Sequence, residues 1–144
     1  MAKIEIEIFQ DINGSQPFLN WADRKLSDSQ FAALDAAIAN VLAEQGSQLL
    51  GTAWLKSLGK NLFEFRIRHT ASQIVKKASP NTKSVGERSK ILLRVFVAFP
   101  SQTQVLILHG YDKGSDDSRS RQQKEIAIAR ARLKQWNMQS GKRI

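Results

Sequence analysis

Apolar and charged positions alternate from the start of the chain. In Lys3-Ile-Glu-Ile-Glu-Ile-Phe9 the residues Ile4, Ile6 and Ile8 share one face and the charges take the other, which predicts a first strand. Asp11-Ile-Asn-Gly14 supplies turn chemistry, and serine and proline ahead of the Pro17–Leu26 segment predict the start of a short helix. Ser27 and Gln30 are spaced as a capping box. Phe31, Leu34, Ala37, Ile38, Val41 and Leu42 follow the three-and-four spacing of a second, amphipathic helix that Gly46 stops. The pair is expected to lie as a hairpin on one side of a sheet.

Residues 47–60 read as a connector, broken by Gly51 and Gly59 and carrying Trp54, Leu55, Lys56, Leu58 and Lys60. Alternation returns from Leu62 to Arg68, with Phe63, Phe65 and Ile67 on one side and Glu64, Arg66 and Arg68 on the other, a second strand. From Thr70 to Ser89 the composition shifts to Ser, Lys, Asn and Gly. At about twenty residues this predicts a long hairpin loop placed to meet a partner. Strands three and four, Lys90–Phe99 and Thr103–Gly110, are joined through Pro100-Ser-Gln-Thr103 and are expected to pair antiparallel. On the fourth, Val105, Ile107 and His109 fall on one face and Leu106 and Leu108 on the other, so both sides are apolar and the strand belongs inside the sheet. Ile126, Ala129, Ala131, Leu133 and Trp136 predict a final, very basic helix from Ser118 to Trp136, capped by Asp116-Asp117. Trp21, Trp54 and Trp136 are expected as core or helix-docking aromatics. The sum is one α+β domain over residues 1–144: an antiparallel-dominated four-stranded sheet, an N-terminal helical hairpin on one face, and a C-terminal helix.

Composition narrows the class. The 144 residues are 42% apolar, enough for one core, and no run approaches the roughly 20 apolar residues of a membrane span. The first residues lack the continuous apolar stretch of a signal peptide, and without cysteine there are neither disulfides nor thiolate metal sites, so a soluble cytoplasmic protein is expected. Net charge is +9 with a pI near 10.2. Residues 1–55 carry a balance of −4 and residues 56–144 one of +13. Such concentration in one half points to a polyanion, with nucleic acid favoured over membrane. A solubilising charged surface explains charge alone equally well.

Individual cations sharpen this. Arg94 interrupts the apolar run Ile91–Phe99, and His109, Tyr111 and Lys113 stand at the end of the Val105–Leu108 run. A buried strand accommodates a cation only where an anion meets it. RNA cleavage by the ribose 2′-hydroxyl needs alignment, a proton acceptor, neutralisation of the phosphorane and protonation of the leaving oxygen. Arg94 and Arg66 suit neutralisation, since a guanidinium fork meets two phosphate oxygens and keeps its charge. His109 exchanges protons near neutrality, Tyr111 stacks on a base or hydrogen-bonds the phosphate, and Lys113 screens charge. Lys56, Lys60, Arg68 and the basic helix are expected to follow the RNA backbone. Bland readings stand beside these: Arg66 and Arg68 as a solvated strand face, Arg94 as an ion-pair partner of Glu64, His109 as a hydrogen-bonded strand-end histidine, and His69 as merely exposed.

Leu62-Phe-Glu-Phe-Arg66, Leu93-Arg-Val-Phe96, Leu106-Ile-Leu-His-Gly-Tyr-Asp-Lys113 and Glu125-Ile-Ala-Ile-Ala-Arg130, in that order, resemble the phage-derived branch of the RelE/HigB toxin superfamily, over about Trp54 to Leu133. Two features depart from it. Asp112-Lys113-Gly114-Ser115 replaces a run with consecutive lysines, and the 70–89 segment exceeds the usual short hairpin. The resemblance implies a RelE-like fold and the toxin of a type II toxin–antitoxin pair, an endoribonuclease that cuts mRNA at the ribosome without metal or cofactor and is neutralised by a helix-turn-helix antitoxin. Its alternatives are a non-catalytic RNA- or ribosome-binding module and an inactive relative that only binds an antitoxin.

Overall fold

The structure, a computed structural model, describes residues 3–68 and 91–140; the expected 70–89 loop, His69 and Lys90 lie outside the described residues. In chain order the elements are β1 (Glu5–Ile8), α1 (Pro17–Lys25), α2 (Asp28–Ala37), β2 (Leu55–Gly59), β3 (Leu62–Ile67), β4 (Leu93–Ser101), β5 (Gln104–Asp112) and α3 (Arg119–Ser140). The sheet has five strands in the order β1-β5-β4-β3-β2. It is mixed: β1 runs parallel to β5, and the other three pairings are antiparallel.

This corrects the expected four-stranded, RelE-like sheet. The extra strand, β2, lies within the segment read as a connector. Its two leucines are three apart, so Leu55 packs on one face of the sheet and Leu58 on the other, and no apolar stripe of period two forms. A bulge near Ser57 also disrupts its register with β3, and the hairpin between them turns through Lys60 and Asn61, whose φ angles are 51° and 59°.

Two cores sandwich the sheet. On one face α1 and α2 cover Phe65, Ile67, Val95, Val97, Val105 and Ile107, with Ile4, Ile6 and Ile8 packed alongside. The helical hairpin thus lies where the pattern puts it. Its second helix opens with the expected capping box: Ser27 Oγ accepts from the Gln30 backbone N–H at 3.1 Å, and Gln30 Oε1 accepts from the Ser27 N–H at 2.9 Å. The same Gln30 amide donates to Asp112 Oδ2 at 2.8 Å and ties the helix start to the end of β5. Beyond Ala37 the helix widens into a π turn at Ile38–Leu42 and ends at Gly46, whose φ of 51° suits glycine.

The opposite face carries Leu62, Phe96, Ala98, Leu106, Leu108 and Tyr111 under Ala129, Leu133 and Trp136 of α3. Trp136 Nε1 also donates to Glu7 Oε2 at 2.6 Å. The cap of α3 is Ser118, one residue beyond the expected aspartates. Its Oγ accepts from the Arg121 N–H at 3.2 Å, and Asp116 Oδ1 accepts from the Ser118 N–H at 3.0 Å. No helix among the described residues is long and apolar enough to cross a membrane.

Gly110 sets how closely α1 approaches β5. A Cβ there meets Trp21 Cζ3 at 2.7 Å and Phe18 Cε1 at 3.0 Å, both rings of the α1 face. We expect Gly110→Ala to lower unfolding stability by about 1–3 kcal/mol, the usual cost of an overpacked core. Urea denaturation checks this; an unchanged midpoint at unchanged slope contradicts the packing.

Candidate functional site

Register puts the expected site residues into rows. Arg66 of β3 faces Arg94 of β4, and Arg94 faces Tyr111 of β5. The next row joins Lys56, Glu64, Phe96 and His109 across β2, β3, β4 and β5. Both rows look toward α3. Arg68 and Lys113 follow one step past the ends of β3 and β5.

His109 reaches this face through a bulge. Phe96 pairs with His109 and Val97 with Ile107, so Leu108 is the extra residue and the alternation slips by one. Straight counting places His109 with Val105 and Ile107; the bulge moves it to the α3 side. There its ring stacks on Phe96, with centroids 6.0 Å apart, and the Tyr111 ring stacks on Phe96 at the same separation.

Two arginines facing each other across a strand pair repel. Glu64, fully buried, relieves them. Its Oε1 accepts from Arg66 Nε at 3.0 Å and lies 3.7 Å from Arg94 Nε, while Oε2 accepts from the Gln122 amide of α3 at 2.9 Å. Arg94 is only 3% exposed and also donates through Nη1 to the carbonyl of Leu93 at 3.2 Å. Its Nε and the Tyr111 hydroxyl are buried polar atoms without a hydrogen-bond partner among the described residues. The ion-pair reading of Arg94 with Glu64 is therefore present in the geometry, yet among the described residues one carboxylate stands with four cations, Arg66, Arg68, Arg94 and Lys113.

Burial and these charges set the titration of the site. Desolvation, with Arg94 next in weight, pulls the Lys113 amine below the usual lysine range. Burial and the Glu64 charge push the Tyr111 phenol up, so at neutral pH it is a hydrogen-bond donor rather than a base. Burial also lowers Arg94, which stays a cation at neutral pH.

His109 is held on both sides. Arg132 Nη1 donates to Nδ1 at 2.9 Å and to the Leu108 carbonyl at 2.9 Å, so the ring proton sits on Nε2 and is donated to Glu125 Oε2 at 2.6 Å. Desolvation holds its pKa below the ordinary value, outweighing the Glu125 hydrogen bond, and the nearby Arg132 charge acts in the same direction. Burial pushes Glu125 up, but hydrogen bonds from His109 and from Arg121 Nε at 3.0 Å leave it below the ordinary carboxyl value. Arg121 in turn lies over the Tyr111 ring at 5.3 Å.

The other expected RNA contacts separate. Arg68 is exposed at the site, and Lys56 is exposed on the edge strand opposite Glu64. Lys60 stands in the turn at the other end of β3, six residues and about 20 Å of strand from Arg66. Of the basic helix, Arg130 donates to the Leu58 and Gly59 carbonyls and Arg132 to that of Leu108, so these cations fasten α3 to the sheet. Arg119, Lys124 and Lys134 remain exposed. Glu64 was expected from the sequence only as an ion-pair partner of Arg94, and Arg121, Gln122 and Glu125 were not singled out for the site.

The His109 arrangement has a pH signature. In the folded chain its pKa is depressed below 6.5, so below that pH the unfolded chain binds more protons and stability falls as pH drops through the folded value. Glu125 adds its loss only below its ordinary 4.5, a separate window. We expect His109→Asn to flatten the decline in urea midpoint between about pH 7 and 5; an unaltered slope contradicts the buried neutral ring.

No protein-family model matches the chain, and no curated protein matches it.

Proposed function

We propose that this protein is an RNA-cleaving toxin of a toxin–antitoxin pair, related to the RelE/HigB toxins, that acts on mRNA through attack of a ribose 2′-hydroxyl. One observation carries the reading: the cross-strand row Arg66–Arg94–Tyr111 with Lys113 and Arg68 beside it, four cations of which Arg66 and Arg94 share the buried carboxylate of Glu64. Such an excess of charge on a packed sheet face suits a phosphodiester, whose transition state carries more negative charge than its ground state.

In this mechanism Arg66 and Arg94 neutralise the phosphorane oxygens, and Arg68 holds an adjacent phosphate. Tyr111 donates its hydroxyl hydrogen to the phosphate. Lys113, its pKa lowered by burial and by Arg94, exchanges the proton between the 2′-hydroxyl and the leaving oxygen. His109, with both ring nitrogens engaged by Arg132 and Glu125, keeps Arg121 and Tyr111 in place rather than moving a proton. A helix-turn-helix antitoxin as partner and ribosome association belong to the same proposal, on the resemblance of the motifs alone.

Expression of the protein in a bacterial host should arrest growth and yield new RNA 5′ ends. Lys113→Met and Arg94→Ala should each abolish both, with folding followed by circular dichroism, since Arg94→Ala leaves Glu64 short of a partner. RNA retention without fragments marks the non-catalytic binding module instead. In the binding step Arg68→Ala should weaken retention and reduce the salt dependence by about one phosphate contact. Growth arrest unaffected by either Lys113→Met or Arg94→Ala sinks the site.

A further inference from the structure

Glu64 has a position that a mere counter-ion does not need. Its two oxygens engage different partners: Oε1 faces the Nε atoms of Arg66 and Arg94, and Oε2 takes the amide of Gln122 from the second turn of α3. Arg66 Nε hydrogen-bonds Oε1 at 3.0 Å, which engages the stem side of that guanidinium and fixes its plane, whereas Arg94 Nε, 3.7 Å away, is held by charge. Arg66 makes no other side-chain hydrogen bond among the described residues, and Arg94 adds only the Leu93 carbonyl through Nη1. Among the described residues Glu64 is therefore the carboxylate that meets both guanidiniums, Arg66 through a hydrogen bond and Arg94 through charge, and Gln122 of α3 holds its other oxygen.

We propose that Glu64 is a positioning residue of the RNA site, its carboxylate pinned by Gln122 so that it fixes the Arg66 fork through a hydrogen bond and holds Arg94 beside it by charge, the two facing one phosphate. The inference rests on the RNA-cleaving reading and extends it: α3, beyond packing the sheet, sets the geometry of cations it does not itself carry. Gln122 links the two layers. A displacement of roughly 1 Å at a reacting centre is enough to cost about a hundredfold in rate, whereas removing a negative charge from a cationic patch does not weaken its hold on RNA.

The test separates rate from affinity. Wild type, Glu64→Gln and Gln122→Leu are compared by retention of a labelled single-stranded RNA and by fragment yield from a reporter mRNA in a cell-free translation mixture, with melting curves giving the folded fraction. Per folded molecule, we expect Glu64→Gln to lower the cutting rate about 10- to 100-fold while RNA retention is kept or tightened, and Gln122→Leu to shift rate the same way more weakly. Gln122 is partly exposed, so its variant reports even where Glu64→Gln unfolds. Cutting within about twofold of wild type in folded Glu64→Gln, or in Gln122→Leu when the first does not fold, overturns the inference. So does a parallel fall in retention and rate. Those outcomes leave the nuclease reading intact, because the wild type still cuts; a wild type that retains RNA but cuts none overturns both.

Discussion

A single buried carboxylate lets two arginines stand side by side on an apolar sheet. Arg66 and Arg94 are direct cross-strand neighbours, and without Glu64 their repulsion and the burial of Arg94 go uncompensated. Breaking a buried pair of this kind by removing one partner typically costs about 3–5 kcal/mol. A carboxylate shared between two guanidiniums does not cancel them, however. It holds them together and leaves a net positive charge, so the contact that permits Arg94 to be buried beside the half-buried Arg66 also preserves the cationic character of the pair.

The two faces of the sheet divide the work. One is a closed apolar core against α1 and α2, tightened by the missing side chain at Gly110. The other is apolar only toward the end where Leu133 and Trp136 pack; toward the start of α3 it becomes a polar network of Glu64, Gln122, Glu125, His109, Arg121 and Arg132. Asp23, Asp28 and Asp35 are exposed on the helical hairpin, and Arg66, Arg94 and Lys113 gather on the α3 side.

Within that network much of the basic character of α3 is structural. Arg130 and Arg132 satisfy carbonyls of β2 and β5, and Arg121 bridges Glu125 to the face of Tyr111. A helix this rich in cations reads from its sequence as a solvated or RNA-tracking surface. Three of its arginines instead hold the helix on the sheet, two of them by long side chains that reach backbone acceptors at low cost in buried charge.

Sequence alone determined the outcome wherever one face is apolar and the period is unbroken. The alternation of Ile4, Ile6 and Ile8 and of Phe63, Phe65 and Ile67, the capping box of Ser27 and Gln30, the stop at Gly46 and the interior placement of β5 all stand in the structure as the pattern placed them. Local chemistry suffices there, since propensity, spacing and burial agree. Tertiary structure alone decided what bulges and long-range partners control. The bulge at Leu108 turned His109 to the face of Arg94 and Tyr111, and pairing with β3 made a fifth strand out of an apparent connector whose leucines serve opposite faces. The pairing of Arg132 with His109 and of Gln122 with Glu64 spans 23 and 58 residues, so no local period records it. Register and helix docking, which bring such residues within 3 Å, are properties of the packed sheet rather than of any one segment.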